Sequence, residues 1–171
     1  MKWTTKKDII WVSLLSILCI VCFPANPLVL TGTIETPFYL ALFIIGWFVW
    51  FFGMILVIAP IIMFPRKGGI IKGKSYVNTT KLVDTGIYAI VRHPQYLGGI
   101  ISIFITCILW YPHWLFGLLG IIGAVSVYLS TREEDKQLID KFGDKYVAYM
   151  RKMPGINIFL GIWRVLRHTD S

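Results

Sequence analysis

The chain has 171 residues, 56% of them hydrophobic and only 15% charged, where an ordinary soluble domain carries roughly a quarter charged. Its 17 Lys and Arg outnumber 9 Asp and Glu, for a net charge of +8. The basic residues sit between long apolar runs rather than in one patch. That pattern fits the positive-inside bias of a membrane protein and argues against a nucleic-acid partner. One domain, 1–171, is expected at this length.

Four stretches are predicted to cross a bilayer, over 9–30, 38–64, 95–110 and 114–130. The first follows Lys6 and Lys7 and is loosened near its end by Pro24 and Pro27. No small-residue cleavage site follows it, so it is expected to be retained as a span. Cys19 and Cys22 inside it are read as small apolar side chains, since no base lies nearby in sequence. The second, Phe38 to Phe64, has no charged residue and is long enough for a hydrocarbon core of about 30 Å. The third and fourth are separated only by Tyr111-Pro112-His113, which predicts an antiparallel hairpin. Inside lipid the backbone must satisfy its own hydrogen bonds, so an all-α, integral membrane helical bundle is expected, with further helices on the cytoplasmic side.

Orientation follows from the basic clusters. Lys2, Lys6 and Lys7 precede the first span, Arg66 to Lys81 follow the second, and Arg132 to Lys152 follow the fourth. The other side carries only Glu35 and His113. Both termini are therefore predicted to be cytoplasmic in a multi-pass protein. Residues 131–152 read as an amphipathic helix in which Leu138, Phe142, Tyr146 and Tyr149 recur at helical spacing. Gly143 is expected to weaken that helix or break it in two. The stretch 156–166, with Trp163 beside Arg164, has the pattern of a segment lying in the membrane interface.

The polar residues nearest the bilayer bracket the second hairpin. Arg92, His93 and Tyr96 enter it, and Arg132, Glu133 and Glu134 leave it. Packed antiparallel helices return the chain to within about 8–10 Å of its entry point, so His93, Tyr96 and Glu134 are predicted to line one cavity. Pro94 suits the first position of a helix. The free amides of that first turn, together with the helix dipole, favour an anion such as a carboxylate. Composition alone favours plain basic flanks and an interfacial tyrosine. There is no phosphate loop, no metal-ligand spacing and no nucleophile elbow.

These residues resemble a known family. Leu82-Val83-Asp84-Thr85-Gly86-Ile87-Tyr88, followed by Arg92-His93-Pro94-Gln95-Tyr96, is similar to the isoprenylcysteine carboxyl methyltransferases and the related phospholipid methyltransferases. After the hairpin the pattern continues with Glu133-Glu134, Leu138, Phe142-Gly143, Tyr146, Tyr149 and Met153-Pro154. The resemblance covers about residues 80–155. It implies S-adenosylmethionine as methyl donor, with S-adenosylhomocysteine as product. The implied cofactor contacts are Lys81, Leu82, Val83, Tyr88, His93, Pro94, Gln95, Tyr96 and Glu134. In isoprenylcysteine methyltransferases an Arg thought to hold the substrate carboxylate stands four positions before the second Glu. Ser130 stands there here, and Arg132 lies about 200° further round a helix. Arg132 and Glu133 are the expected residues on the acceptor side.

The predicted function is methyl transfer to a lipid-bearing, prenylated or otherwise hydrophobic acceptor at the membrane. Phospholipid N-methylation and methylation of a small hydrophobic thiol or acid are the neighbouring readings. A non-enzymatic four-helix carrier or assembly subunit is the rival from another class. An ionised carboxylate or thiolate acceptor needs alignment more than a base, whereas an amine must first lose a proton, for which Glu133, Glu134 and Tyr146 are candidates.

Overall fold

The computed structural model describes residues 27–69 and 80–169. Most of the expected first span, including Cys19 and Cys22, and the Gly- and Lys-rich loop over 70–79 lie outside the described residues. Among the described residues every regular element is helical. In chain order these are α1 (Pro27–Leu30), α2 (Leu40–Lys67), a 3-10 turn (Gly86–Ala89), α3 (Pro94–Trp110), α4 (Trp114–Phe142), α5 (Asp144–Lys152) and α6 (Ile158–Thr169).

The local sequence accounts for several of these boundaries. α3 starts at Pro94, whose fixed φ and missing N–H suit a first helical position. α4 runs on past Ser130 because no Gly or Pro falls between Gly123 and Gly143, so the fourth expected span and the start of the expected cytoplasmic helix form one rod. The rod ends at Gly143, whose φ of 60° and ψ of −139° are open essentially only to glycine. The amphipathic segment is therefore broken in two, and α5 begins at the next residue.

Of the four expected crossings, two are helices long and apolar enough to span a bilayer, Leu40–Met63 and Trp114–Phe142. The apolar helix Pro94–Trp110 is shorter than the about 20 residues of an upright crossing. The two long helices leave large apolar side chains outside the protein's own core: Phe48 is 73% exposed and Ile121 63%. Such a density of uncovered apolar side chains is unfavourable against water and natural against lipid.

The described residues divide into two compact units, one formed by those up to Phe52 with Gly99–Val127, the other by those from Gly53 to Gly98 and from Tyr128 onward. In the first unit, buried Phe104, Cys107 and Phe116 make a core against which Val29, Ile34 and Ala124 pack. The Trp110 indole donates to the Phe43 carbonyl at 3.2 Å and lies over Gly46, where a Cβ would meet the ring. Residues Ile100–Ile105 of α3 adopt π geometry, and the Thr106 hydroxyl donates to the Ile101 carbonyl at 3.0 Å.

In the second unit, Gly98 lies so close to α2 that a Cβ would come within 2.6 Å of the Gly53 carbonyl and 2.9 Å of the Leu56 Cβ. Leu56 itself is only 2% exposed. The amides of Thr80 and Lys81 both donate to the Gly68 carbonyl, which returns the chain to the end of α2 before the site residues begin. α6 presses Gly161 directly on the Ile90 carbonyl, a contact that leaves no room for a side chain. Its other face carries Phe159, Ile162, Trp163 and Leu166, all exposed, while Arg167 stacks over Trp163.

The Gly161 contact is testable. Gly161→Val should lower the thermal midpoint in detergent by the equivalent of about 1–3 kcal/mol, because backbone rather than a flexible side chain opposes it. Gly99→Ala, at a helical position with open space around the new Cβ, should be neutral or slightly stabilising.

Candidate active site

The site is built in the second unit, where the strand-like segment before α3 is held from both sides. The Arg92 amide donates to the Pro154 carbonyl and the His93 amide to the Gly155 carbonyl, each at 3.0 Å. The Arg92 side chain reinforces this through Nε, which donates to the Met153 carbonyl at 3.0 Å. Pro94 then opens α3. The first intrahelical bond is Leu97 N–H to the His93 carbonyl, so the Gln95 and Tyr96 amides stand outside the helical ladder.

α4 brings two successive carboxylates to this segment. Asp135 Oδ1 accepts from Arg92 Nη1 at 2.7 Å, from His93 Nε2 at 2.8 Å and from the Tyr146 hydroxyl at 2.6 Å. The Arg92–Asp135 pair is largely dry, with side chains 11% and 8% exposed. Glu134 faces the other ring nitrogen: its Oε2 lies 3.3 Å from His93 Nδ1. That distance allows charge attraction, but the alignment is not that of a hydrogen bond, and this buried oxygen has no hydrogen-bond partner among the described residues. The Tyr96 ring stands edge-on to His93, with centroids 5.7 Å apart. Around it, the Tyr149 hydroxyl donates to the Tyr88 carbonyl at 2.6 Å, and the Tyr149 and Tyr146 rings are 5.8 Å apart.

The electrostatics follow from this geometry. Burial lowers the His93 pKa, but the hydrogen bond to Asp135 and the close carboxylate of Glu134 outweigh it, and the net direction is upward. Burial, then the hydrogen bond to Asp135, pushes the Tyr146 hydroxyl up, and burial does the same for Tyr149. Tyr146 is thus held as a phenol donating to a carboxylate, which disqualifies it as a base.

Beside the cluster lies an open groove of about 560 Å³ whose walls include Lys81, Leu82, Asp84, Phe142, Lys145 and Tyr149. Of the sequence-predicted cofactor contacts, Lys81 and Leu82 line this groove. His93, Pro94, Tyr96 and Glu134 meet at the cluster, and Val83 and Tyr88 are buried close by in sequence. Gln95 turns back to α2, its Nε2 donating to the Val57 carbonyl at 3.4 Å. The two acceptor-side candidates are elsewhere on α4. Arg132 is exposed and donates to the Tyr128 hydroxyl at 2.7 Å, and Glu133 pairs with Lys136 at 2.7 Å on the surface.

Asp135 is the residue that the sequence reading passed over. It sits next to the conspicuous Glu133-Glu134 pair, yet it shares a helix face with Thr131, Leu138 and Phe142. A carboxylate on an inward stripe was the signal available.

The model of the phospholipid methyltransferase family matches residues 41–145, and the chain belongs to that family. Among individual proteins it is similar to methanethiol S-methyltransferase of Pseudomonas deceptionensis, at 30% identity over 66% of this chain and 42% of that protein. It is also similar to protein-S-isoprenylcysteine O-methyltransferase of Mus musculus, at 33% identity over 50% of this chain and 30% of that protein. The match to methanethiol S-methyltransferase 1 of Bradyrhizobium diazoefficiens, 31% identical, covers 39% of this chain and 22% of that protein. The chain thus spans less than half the length of these relatives. No solved structure matches it.

Two outcomes are expected. Asp135→Ala should destabilise the protein by about 3–5 kcal/mol in detergent unfolding, because it leaves a buried guanidinium and imidazole without their carboxylate. The raised His93 pKa sets a pH dependence. A protonated, paired His93 stabilises the fold fully below its unfolded value near 6.5, and that contribution is lost as pH rises through the folded value. The thermal midpoint should therefore fall more steeply with rising pH in the wild type than in His93→Gln.

Proposed function

We propose that the chain is an S-adenosylmethionine-dependent, integral membrane methyltransferase, similar to the isoprenylcysteine carboxyl methyltransferases. It transfers a methyl group to a lipid-bearing or otherwise hydrophobic acceptor at the membrane. Membership of the phospholipid methyltransferase family supports this reading, as do relatives named for methyl transfer to a thiol and to isoprenylcysteine. The observation that carries it is the buried Glu134 Oε2, which has no hydrogen-bond partner among the described residues and lies beside His93 at the open amide end of α3.

The residues present fit the donor. S-adenosylmethionine, when bound, supplies an electrophilic methyl group on a sulfonium. The Gln95 and Tyr96 amides, the α3 dipole and His93 are suited to its carboxylate, and Glu134 Oε2 to one of its hydrogen-bond donors. Lys81 and Leu82 offer a groove wall of a size that takes a nucleoside-scale group. The work left to the protein is alignment and exclusion of water, and in-line positioning can lower a displacement barrier by roughly 7–11 kcal/mol. No residue has to act as a base when the acceptor arrives as a thiolate or carboxylate.

In this reading α2, α3, the Trp114–Ser130 part of α4 and the stretch over 9–30 cross the bilayer, with both termini cytoplasmic. The exposed Phe159–Leu166 face of α6 rests in the interface, where apolar and arginine side chains are both accommodated. Arg132 and Glu133 remain the residues offered to the acceptor. A second acceptor class is favoured by a specific observation, the similarity to methanethiol S-methyltransferases: a small hydrophobic thiol.

Calorimetry with S-adenosylhomocysteine on the purified protein tests the donor half. Binding is expected, and Glu134→Ala and His93→Ala should each weaken it by about tenfold or more while the protein stays folded. Normal binding by both variants would place the site elsewhere, and absence of binding by the wild type would sink the enzyme reading. A radiolabelled methyl-transfer assay offering native lipid extract, prenylcysteine analogues and small thiols separates the acceptor classes. In that assay Arg132→Ala should raise the acceptor KM and leave donor affinity unchanged.

A further inference from the structure

His93 is the only ring in the described site with a carboxylate on each nitrogen, and the two carboxylates are held very differently. Asp135 is 6% exposed and fixed by donors from two other directions, Arg92 Nη1 and the Tyr146 hydroxyl, both on the same Oδ1 that meets His93 Nε2. It is not free to turn away. Glu134 is partly exposed, and its Oε2 makes no hydrogen bond among the described residues.

We propose that Asp135 is the positioning residue of this site: it clamps His93 by Nε2 so that the opposite nitrogen, Nδ1, carries a proton and is aimed at Glu134 and at the anionic end of the bound methyl donor. A neutral imidazole would turn a lone pair towards one of two carboxylates, at either 2.8 Å or 3.3 Å, which is repulsive in a buried site. With both nitrogens protonated, each faces an oxygen that attracts it. The groups around the ring are Glu134 and Asp135 from α4 and Tyr96 edge-on from α3, with Arg92 and Tyr146 acting through Asp135. The two cations, Arg92 and His93, balance the two carboxylates. His93 is then a fixed cation and hydrogen-bond donor rather than a base. The direction of its pKa agrees with this.

What the oriented ring meets rests on the methyl-donor reading; the orientation itself does not. Two measurements keep them apart. In ligand-free protein with ¹⁵N-labelled histidine, His93 being assigned by its loss in His93→Gln, both ring nitrogens should be protonated at pH 6.5, the ordinary histidine value. One bare nitrogen there would overturn the proposal, and this experiment needs no variant of Asp135. The second is S-adenosylhomocysteine affinity as a function of pH. The wild type should lose affinity as His93 deprotonates. In Asp135→Asn that loss should move to lower pH, with affinity at neutral pH down by about tenfold or more, and Asp135→Glu should restore most of it. A folded Asp135→Asn with the wild-type pH profile would overturn the positioning role. A doubly protonated ring in a protein that binds no S-adenosylhomocysteine would uphold the clamp and remove the methyl-donor reading.

Discussion

Three donors converge on one carboxylate oxygen in the interior of the second unit, and the candidate site depends on that convergence. Arg92, His93 and Tyr146 come from two segments far apart in sequence, and Asp135 Oδ1 ties both to α4. Burying a guanidinium and a carboxylate is costly unless every polar group finds a partner. Here the guanidinium also reaches the Met153 carbonyl, and the backbone on either side is fixed by bonds to Pro154 and Gly155. The result is a dry, charge-balanced anchor at the mouth of α3. A side chain resting on such an anchor is preorganised, which methyl transfer requires more than it requires an acid or a base.

The anchor also separates two carboxylates that look alike in the sequence. Asp135 is spent on structure, since its bonding oxygen is saturated by protein donors. Glu134, one residue away and turned by about 100° round the helix, keeps a buried oxygen with no hydrogen bond among the described residues. A buried polar atom without a hydrogen bond destabilises a protein unless something completes it, and in the proposed reading a donor of the bound ligand does so. α6 belongs to the same device: Gly161 seats on the Ile90 carbonyl, two residues before Arg92, and closes the backbone around the anchor.

Much of this was legible before the fold was known, for physical reasons. Pro94 suits the first position of a helix, and it starts one. Gly143 was the weak point of an otherwise uninterrupted pattern, and the chain breaks there in a conformation that other residues avoid. The approach of His93 to Glu134 followed from an antiparallel return of the chain, and the two are in contact distance. What the sequence hid was the division of labour among Glu133, Glu134 and Asp135. Three acidic residues in a row read as one cluster, yet successive positions on a helix point a hundred or so degrees apart. One meets Lys136 at the surface, one faces His93, and one is buried. Tyr146 was similarly open to reading as a base; only its contact with Asp135 makes it a donor.

In the proposed function this anchor holds up a methyl-donor site built on Arg92–Tyr96 and Glu134. An experimental structure of the protein in lipid nanodiscs with S-adenosylhomocysteine tests it most directly. The ligand is expected at the start of α3, with a donor group on Glu134 Oε2 and its carboxylate near His93 and the Gln95 and Tyr96 amides, while Asp135 keeps its three donors. Ligand bound away from Glu134 and His93, or an Asp135 that has released them on binding, would contradict it.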